Sequence, residues 1–180
     1  MNLLLDPYPT EYKGYLIRSD FRIGIQIALC VDDVDLLEAE KISICLQLLY
    51  GAGIPPVKTA VEGLSWFISG GNENPEPGSG KKVMSYDYDS SRILSGFRKA
   101  FGIDLARTKI HWFEFLSLIG DLGDCALTGV IDIRTRDISD MKGKNRARME
   151  RLKEQYALPV VLSREEQDVV DAFFGKINKK

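Results

Sequence analysis

His111 is the single histidine in a chain of 180 residues, and so the one side chain whose ordinary pKa suits acid–base work near neutral pH. A catalytic role would require an orienting acid and a nucleophile, and no serine lies in a Gly-x-Ser-x-Gly setting. Sites built from several histidines are excluded by count. In Ile110-His111-Trp112-Phe113, the residue reads as one that packs or caps near a helix start. Cys30, Cys45 and Cys125 are far apart, odd in number and set among apolar neighbours. They read as three small buried hydrophobes in a reducing compartment, not as a disulfide framework or zinc site. Gly78-Ser79-Gly80-Lys81-Lys82 faintly resembles a phosphate loop. However, Pro75 stands where the first glycine belongs, and Lys82 where a hydroxyl should hold Mg²⁺. The acid groups Asp87 and Asp89, and Asp32, Asp33 and Asp35, lack the glycine and closing glutamate of a calcium loop. They read as N-terminal acids favouring helix dipoles. No catalytic, cofactor or metal site is expected.

One charged stretch remains. Lys142, Lys144, Arg146, Arg148, Arg151 and Lys153 are opposed only by Glu150 and Glu154, and Arg134 and Arg136 lie just upstream. On a helix these cations would spread round the cylinder. The readings, in order, are a solvated face, a surface for an acidic protein partner, and phosphate contacts to nucleic acid. The last is weakest, because no aromatic residues interleave to stack bases and the net charge is −2. These six cations are the candidate partner-binding residues.

The elements that must position these groups are mostly helical. Residues 7–19 read as a short hairpin turning at Lys13-Gly14, with Tyr15 and Ile17 on one face. Asp20 caps a helix over 21–31, although Gly24 counts against it by about 1 kcal/mol. Leu36 to Tyr50 forms a second helix capped by Asp35, and Pro55-Pro56 opens a third that stops at Gly70-Gly71. From Ser90, the apolar stripe Ile93, Leu94, Phe97 and Phe101 ends at Gly102, a glycine suited to a left-handed C-cap. Thr108 is placed to cap the next helix, which is apolar nearly all round and belongs at the centre of the core. Residues 126–138 fit either a strand or a helix. Ser139 or Asp140 can cap a polar helix to about Tyr156, and Ser163 can open a last short one. Residues 70–82 are rich in Gly, Pro, Asn and Glu and read as a flexible linker loop. The expected fold is mainly α with a small N-terminal β-hairpin. It forms a compact multi-helix domain over 1–180, divided by the loop into 1–69 and 83–180.

The composition is that of an ordinary globular protein, with 44% hydrophobic and 28% charged residues. No window approaches the roughly 18 apolar residues of a membrane helix, and the N-terminus lacks the basic region of a signal peptide. A cytoplasmic protein without membrane partners is expected.

The wording of 84–138 and 7–50 resembles a family of proteins from long-tailed bacteriophages and prophages, called phage gene product fifteen. The resemblance rests on Tyr88-Asp89 leading into Ser91-Arg92-Ile93, Phe97, Phe101-Gly102-Ile103-Asp104-Leu105, Ile110 to Phe115, the run to Leu122, and Ile131 to Arg134. Gly14-Tyr15-x-Ile17, Asp20-Phe21-Arg22 and Glu40-Lys41 add to it. Phe113 stands where the family usually has a second tryptophan. The resemblance implies a non-enzymatic tail assembly chaperone of the host cytoplasm, absent from the mature virion. It would bind the tape-measure protein during tail morphogenesis, with the tail-tube protein a further partner and self-association expected. The alternative is a structural tail or connector protein of the virion, and a small nucleic-acid-binding protein comes third.

Overall fold

The computed structural model describes residues 5–72 and 82–161 together with Arg164. Most of the linker expected over 70–82, and the helix expected from Ser163, lie outside the described residues. The fold is mainly α, with seven helices and one antiparallel hairpin among the described residues.

The hairpin pairs β1 (Glu11–Tyr12) with β2 (Tyr15–Leu16). Lys13 and Gly14 take φ of 49° and 82°, the left-handed pair of a type I′ turn that matches strand twist. Two such short strands are marginal alone. Tertiary contacts hold them: Tyr12 packs on Trp66 with ring centroids 5.0 Å apart, and the Lys13 ammonium donates to Glu62 at 2.8 Å. Gly63 makes this approach possible, since a Cβ there would lie 2.0 Å from the Tyr50 hydroxyl and 2.6 Å from the Tyr12 ring.

Helix α1 (Phe21–Asp32) starts at Asp20, whose carboxylate accepts the Arg22 N–H at 3.0 Å. Gly24, which the sequence counts against helix, is required by packing. A Cβ there would lie 2.2 Å from two carbons of the Trp112 indole. Helix α2 (Glu38–Tyr50) begins two residues later than expected. The Asp33 carboxylate accepts the Asp35 N–H in a local turn, so Asp35 does not cap the helix. Leu37 takes the cap position, where Glu40 accepts its N–H. Helix α3 (Val57–Ile68) follows Pro56 and ends at Gly70 and Gly71, both left-handed.

Helix α4 (Ser90–Phe101) ends at Gly102 with φ 69°, the expected C-cap. Helix α5 (Trp112–Gly120) is capped by His111 and not by Thr108. The cause is a backbone bridge that joins the two helix starts. Phe21 N–H donates to Ile110 at 3.0 Å and Trp112 N–H to Ser19 at 2.7 Å, so His111 is held extended opposite Asp20 and the helix cannot start sooner. Residues 126–135 are helical (α6, Ala126–Thr135), which settles the strand-or-helix ambiguity. Helix α7 (Gly143–Tyr156) has Lys142, not Ser139 or Asp140, in its cap position. Gly143 at φ 58° keeps the helix from reaching back, and Ser139 instead donates to Asp137.

The buried side chains of α1–α3 and α4–α6 form one cluster centred on aromatic rings. Phe115 is its hub, stacked on Phe21 at 5.0 Å, Phe97 at 5.1 Å and Trp112 at 5.6 Å between centroids. Offset ring pairs of this kind add about 0.5–1.5 kcal/mol each beyond their burial.

Candidate protein-interaction site

The strongest polar constellation is buried and structural. Asp89 has no solvent exposure, and Arg134 meets it with two guanidinium nitrogens at 2.7 and 3.0 Å. Arg134 also donates to the carbonyls of Tyr156 at 2.7 Å and Val83 at 3.0 Å. Arg92 donates to Oδ1 at 3.0 Å, and the Ser85 N–H to Oδ2 at 3.1 Å. Burial pushes the Asp89 carboxyl up, but Arg134, the Ser85 N–H and Arg92 together hold it below the usual carboxylate range. Asp89 is therefore not simply an acid at a helix dipole. It joins the start of α4, segment 83–85, α6 and the end of α7. Asp87, by contrast, is exposed.

His111 caps and packs. Its Nδ1 accepts the Phe113 N–H at 3.1 Å, and its Nε2 lies 2.9 Å from the Pro9 carbonyl, which assigns the neutral tautomer protonated on Nε2. Burial lowers its pKa, and the Pro9 carbonyl partly offsets this. Cys30 and Cys45 are buried, but Cys125 is only half-buried. Among the described residues, no three His, Cys, Asp or Glu side chains converge as a metal site would require. No helix among them is long and apolar enough to cross a membrane.

The six candidate cations do not act as one patch. Lys153 is half-buried and donates to the Arg134 carbonyl at 3.0 Å. Arg146 is paired with Glu150 at 2.9 Å. Lys142 is exposed at the cap position. Lys144, Arg148 and Arg151 share one open face with Ala147 and Leu152, bordering a shallow groove. Arg134, which the sequence places beside this stretch, is instead buried against Asp89.

The sequence reading did not single out the surface of α3. Its inward face carries Ala60, Gly63 and Phe67, all buried. An adjoining line, Val57, Val61, Leu64 and Ile68, is also apolar, and Leu64 alone of the four is buried, at 8% exposure. Val57 is 77%, Val61 42% and Ile68 43% exposed. Leu64, Val61 and Ile68 with Ser65 and Ser69 line a shallow apolar groove. The positions follow i, i+4, i+7, i+11, the seam spacing by which one helix receives another. The signal was present in the sequence: a twelve-residue helix with two apolar lines, of which the core covers one.

Among the described residues, the surface of this small helical protein carries an apolar line on α3 and a cationic line on α7, with further exposed apolar side chains such as Leu16 and Leu37 elsewhere. The chain matches the family described as bacteriophage Gp15 protein over residues 3–158, and it belongs to that family. The family points to a phage structural or morphogenesis protein. No curated protein and no solved structure matches the chain.

Proposed function

We propose that this chain is a non-enzymatic tail assembly chaperone, working in the host cytoplasm and absent from the finished virion. Its partner is the tape-measure protein, held soluble until tail-tube subunits assemble around it. Family membership supports the phage assembly setting. The observation that carries the reading is the exposed line Val57, Val61 and Ile68 on α3. A long helical partner with apolar stripes is the ligand that such a seam receives.

Magnitudes favour a transient contact. Covering the exposed parts of these three side chains is worth about 2–5 kcal/mol at the usual 1.5–3 kcal/mol per buried Val or Ile. Association itself costs 4 kcal/mol or more. One chaperone therefore binds weakly, and several copies along one tape measure hold it by multiplicity. Weak, separate contacts also yield readily to competing tail-tube subunits.

The test is co-expression of the tape-measure protein with and without this chain, followed by mass spectrometry of purified particles. Co-purification of a soluble complex, with the chain missing from particles, is the expected result. Presence of the chain in particles at subunit stoichiometry would replace this reading with a structural tail or connector role.

A further inference from the structure

We infer that the outward face of α7 docks an acidic helical segment of a protein partner, read by Lys144, Arg148 and Arg151. This surface is independent of the α3 seam and goes beyond the tape-measure reading.

The argument starts from how α7 is seated. The helix packs on α6, and its half-buried residues Met149, Leu152, Lys153 and Tyr156 recur at the spacing of one face. At 100° per residue, Lys144, Arg148 and Arg151 fall within about 60° of one another on an adjoining, exposed face. Glu150 and Glu154 fall on a different flank, and Arg146 and Lys153 lie on the opposite side, so the cations do spread round the cylinder but these three share one face. Arg146, nearer the acids, is neutralised by Glu150. Lys144, Arg148 and Arg151 have no acidic partner among the described residues. Three neighbouring unpaired cations at i, i+4 and i+7 repel one another along the helix.

The floor of this face decides the occupant. Ala147 borders the three cations on one side and Leu152 on the other. A small residue flanked by long side chains lets a second helix approach, with carboxylates at matching i, i+4, i+7 positions meeting the cations. A phosphate would gather at the uncapped first turn of α7, beside Lys144 alone, whereas Arg148 and Arg151 continue the line one and two turns on and match carboxylates spaced along a helix. The chain's net charge of −2 gives nucleic acid no general attraction, whereas a local cationic line still selects an acidic peptide.

The test uses the full chain and a fluorescently labelled Ala-rich helical peptide with glutamates at i, i+4 and i+7. A second peptide of the same composition has its glutamates spread round the helix. Fluorescence anisotropy at low salt reads affinity. Three exposed ion pairs at their usual worth predict about tenfold tighter binding of the registered peptide. Lys144→Gln/Arg148→Gln/Arg151→Gln, which keeps good helix formers, should remove that difference with no change in melting temperature. Lys142→Gln/Arg146→Gln should leave affinity within about twofold. Equal binding of the two peptides would overturn the inference, as would tighter binding of a duplex DNA or an equal loss in the Lys142/Arg146 variant.

Discussion

Gly24→Ala sets two well-known effects against each other, and the structure says which wins. In an exposed helix interior, alanine is better than glycine by about 0.8–1.0 kcal/mol. At position 24 the new Cβ would lie 2.2 Å from the Trp112 ring, where ordinary contact starts at 3.4 Å. The indole would have to withdraw by about 1.2 Å, the difference between those two distances. It has nowhere to go, because it is stacked on Phe115 at 5.6 Å and flanked by Phe67 and Tyr86 at 6.1 and 6.2 Å. Overpacking of a tight core costs about 1–3 kcal/mol, and a rigid buried ring puts this site at the upper end. The net loss is about 2 kcal/mol, which lowers the melting temperature by about 4–8 °C in a chain of this size. Gly129 is the control: it lies within α6, is exposed, and has nothing within 4 Å of its built Cβ. Gly129→Ala should raise the melting temperature by about 2–4 °C. Thermal unfolding followed by circular dichroism at 222 nm reads both. A Gly24→Ala protein melting at or above the wild type would refute the placement of Trp112 on α1.

Three further outcomes follow from the polar groups. Asp89→Asn should cost about 3–5 kcal/mol at neutral pH, since it leaves Arg134 buried without its counter-charge. The folded-state carboxyl titrates below its ordinary value, so its contribution is complete above about pH 4 and lost as pH falls further. Denaturant titrations should show the gap between wild type and variant closing in that acid range. His111→Ala should cost about 1 kcal/mol through loss of the α5 cap, while His111→Asn, a good cap residue, should cost little. Because the folded imidazole titrates below 6.5, the wild type should lose stability as pH falls from about 6.5 towards that lower value. The asparagine variant should lack this slope, and urea midpoints across pH 5–8 check it. Burial and the neighbouring Cys30 push the Cys45 thiol up to about 12. At Cys125, burial is outweighed by hydrogen bonds from Thr128 and Leu127, with Lys99 nearby, and the thiol titrates below its ordinary value. Iodoacetamide at pH 8 should therefore label Cys125 first and Cys45 only on unfolding, as read by peptide mass spectrometry.

Local signals in the sequence were sound where one residue decides the outcome. Gly102 ends α4, Asp20 starts α1, and Lys13-Gly14 turns the hairpin, because each choice is made within a few residues. Helix starts went astray where distant backbone intervened. The bridge between Ser19 and Trp112 moves the α5 cap from Thr108 to His111, and no local pattern reveals that pairing. Asp89 and Arg134 are 45 residues apart, so their pairing was hidden, and so was the reason a charged arginine can sit inside α6. Gly24 looked like a weakness in a helix until the Trp112 ring was placed against it. The motif that carries the family resemblance thus builds the core: Phe97, Trp112, Phe113 and Phe115 are buried in it, and Asp89 lies beneath α4. Of the six candidate cations, the sequence could not say that three are engaged or peripheral and three form a line. The α3 seam was legible as an apolar pattern, but only the fold shows which of its two lines the core leaves open.

The central claim is that α3 receives the partner. The most direct measurement is co-expression of the tape-measure protein with wild-type chain and with Val57→Ser/Val61→Ser/Ile68→Ser. The variant's melting temperature should first be shown to lie within a few degrees of wild type. The account predicts that the folded variant no longer keeps the tape measure soluble or co-purifies with it, while the wild type does both. A folded variant that still solubilises and co-purifies with the tape measure would contradict it.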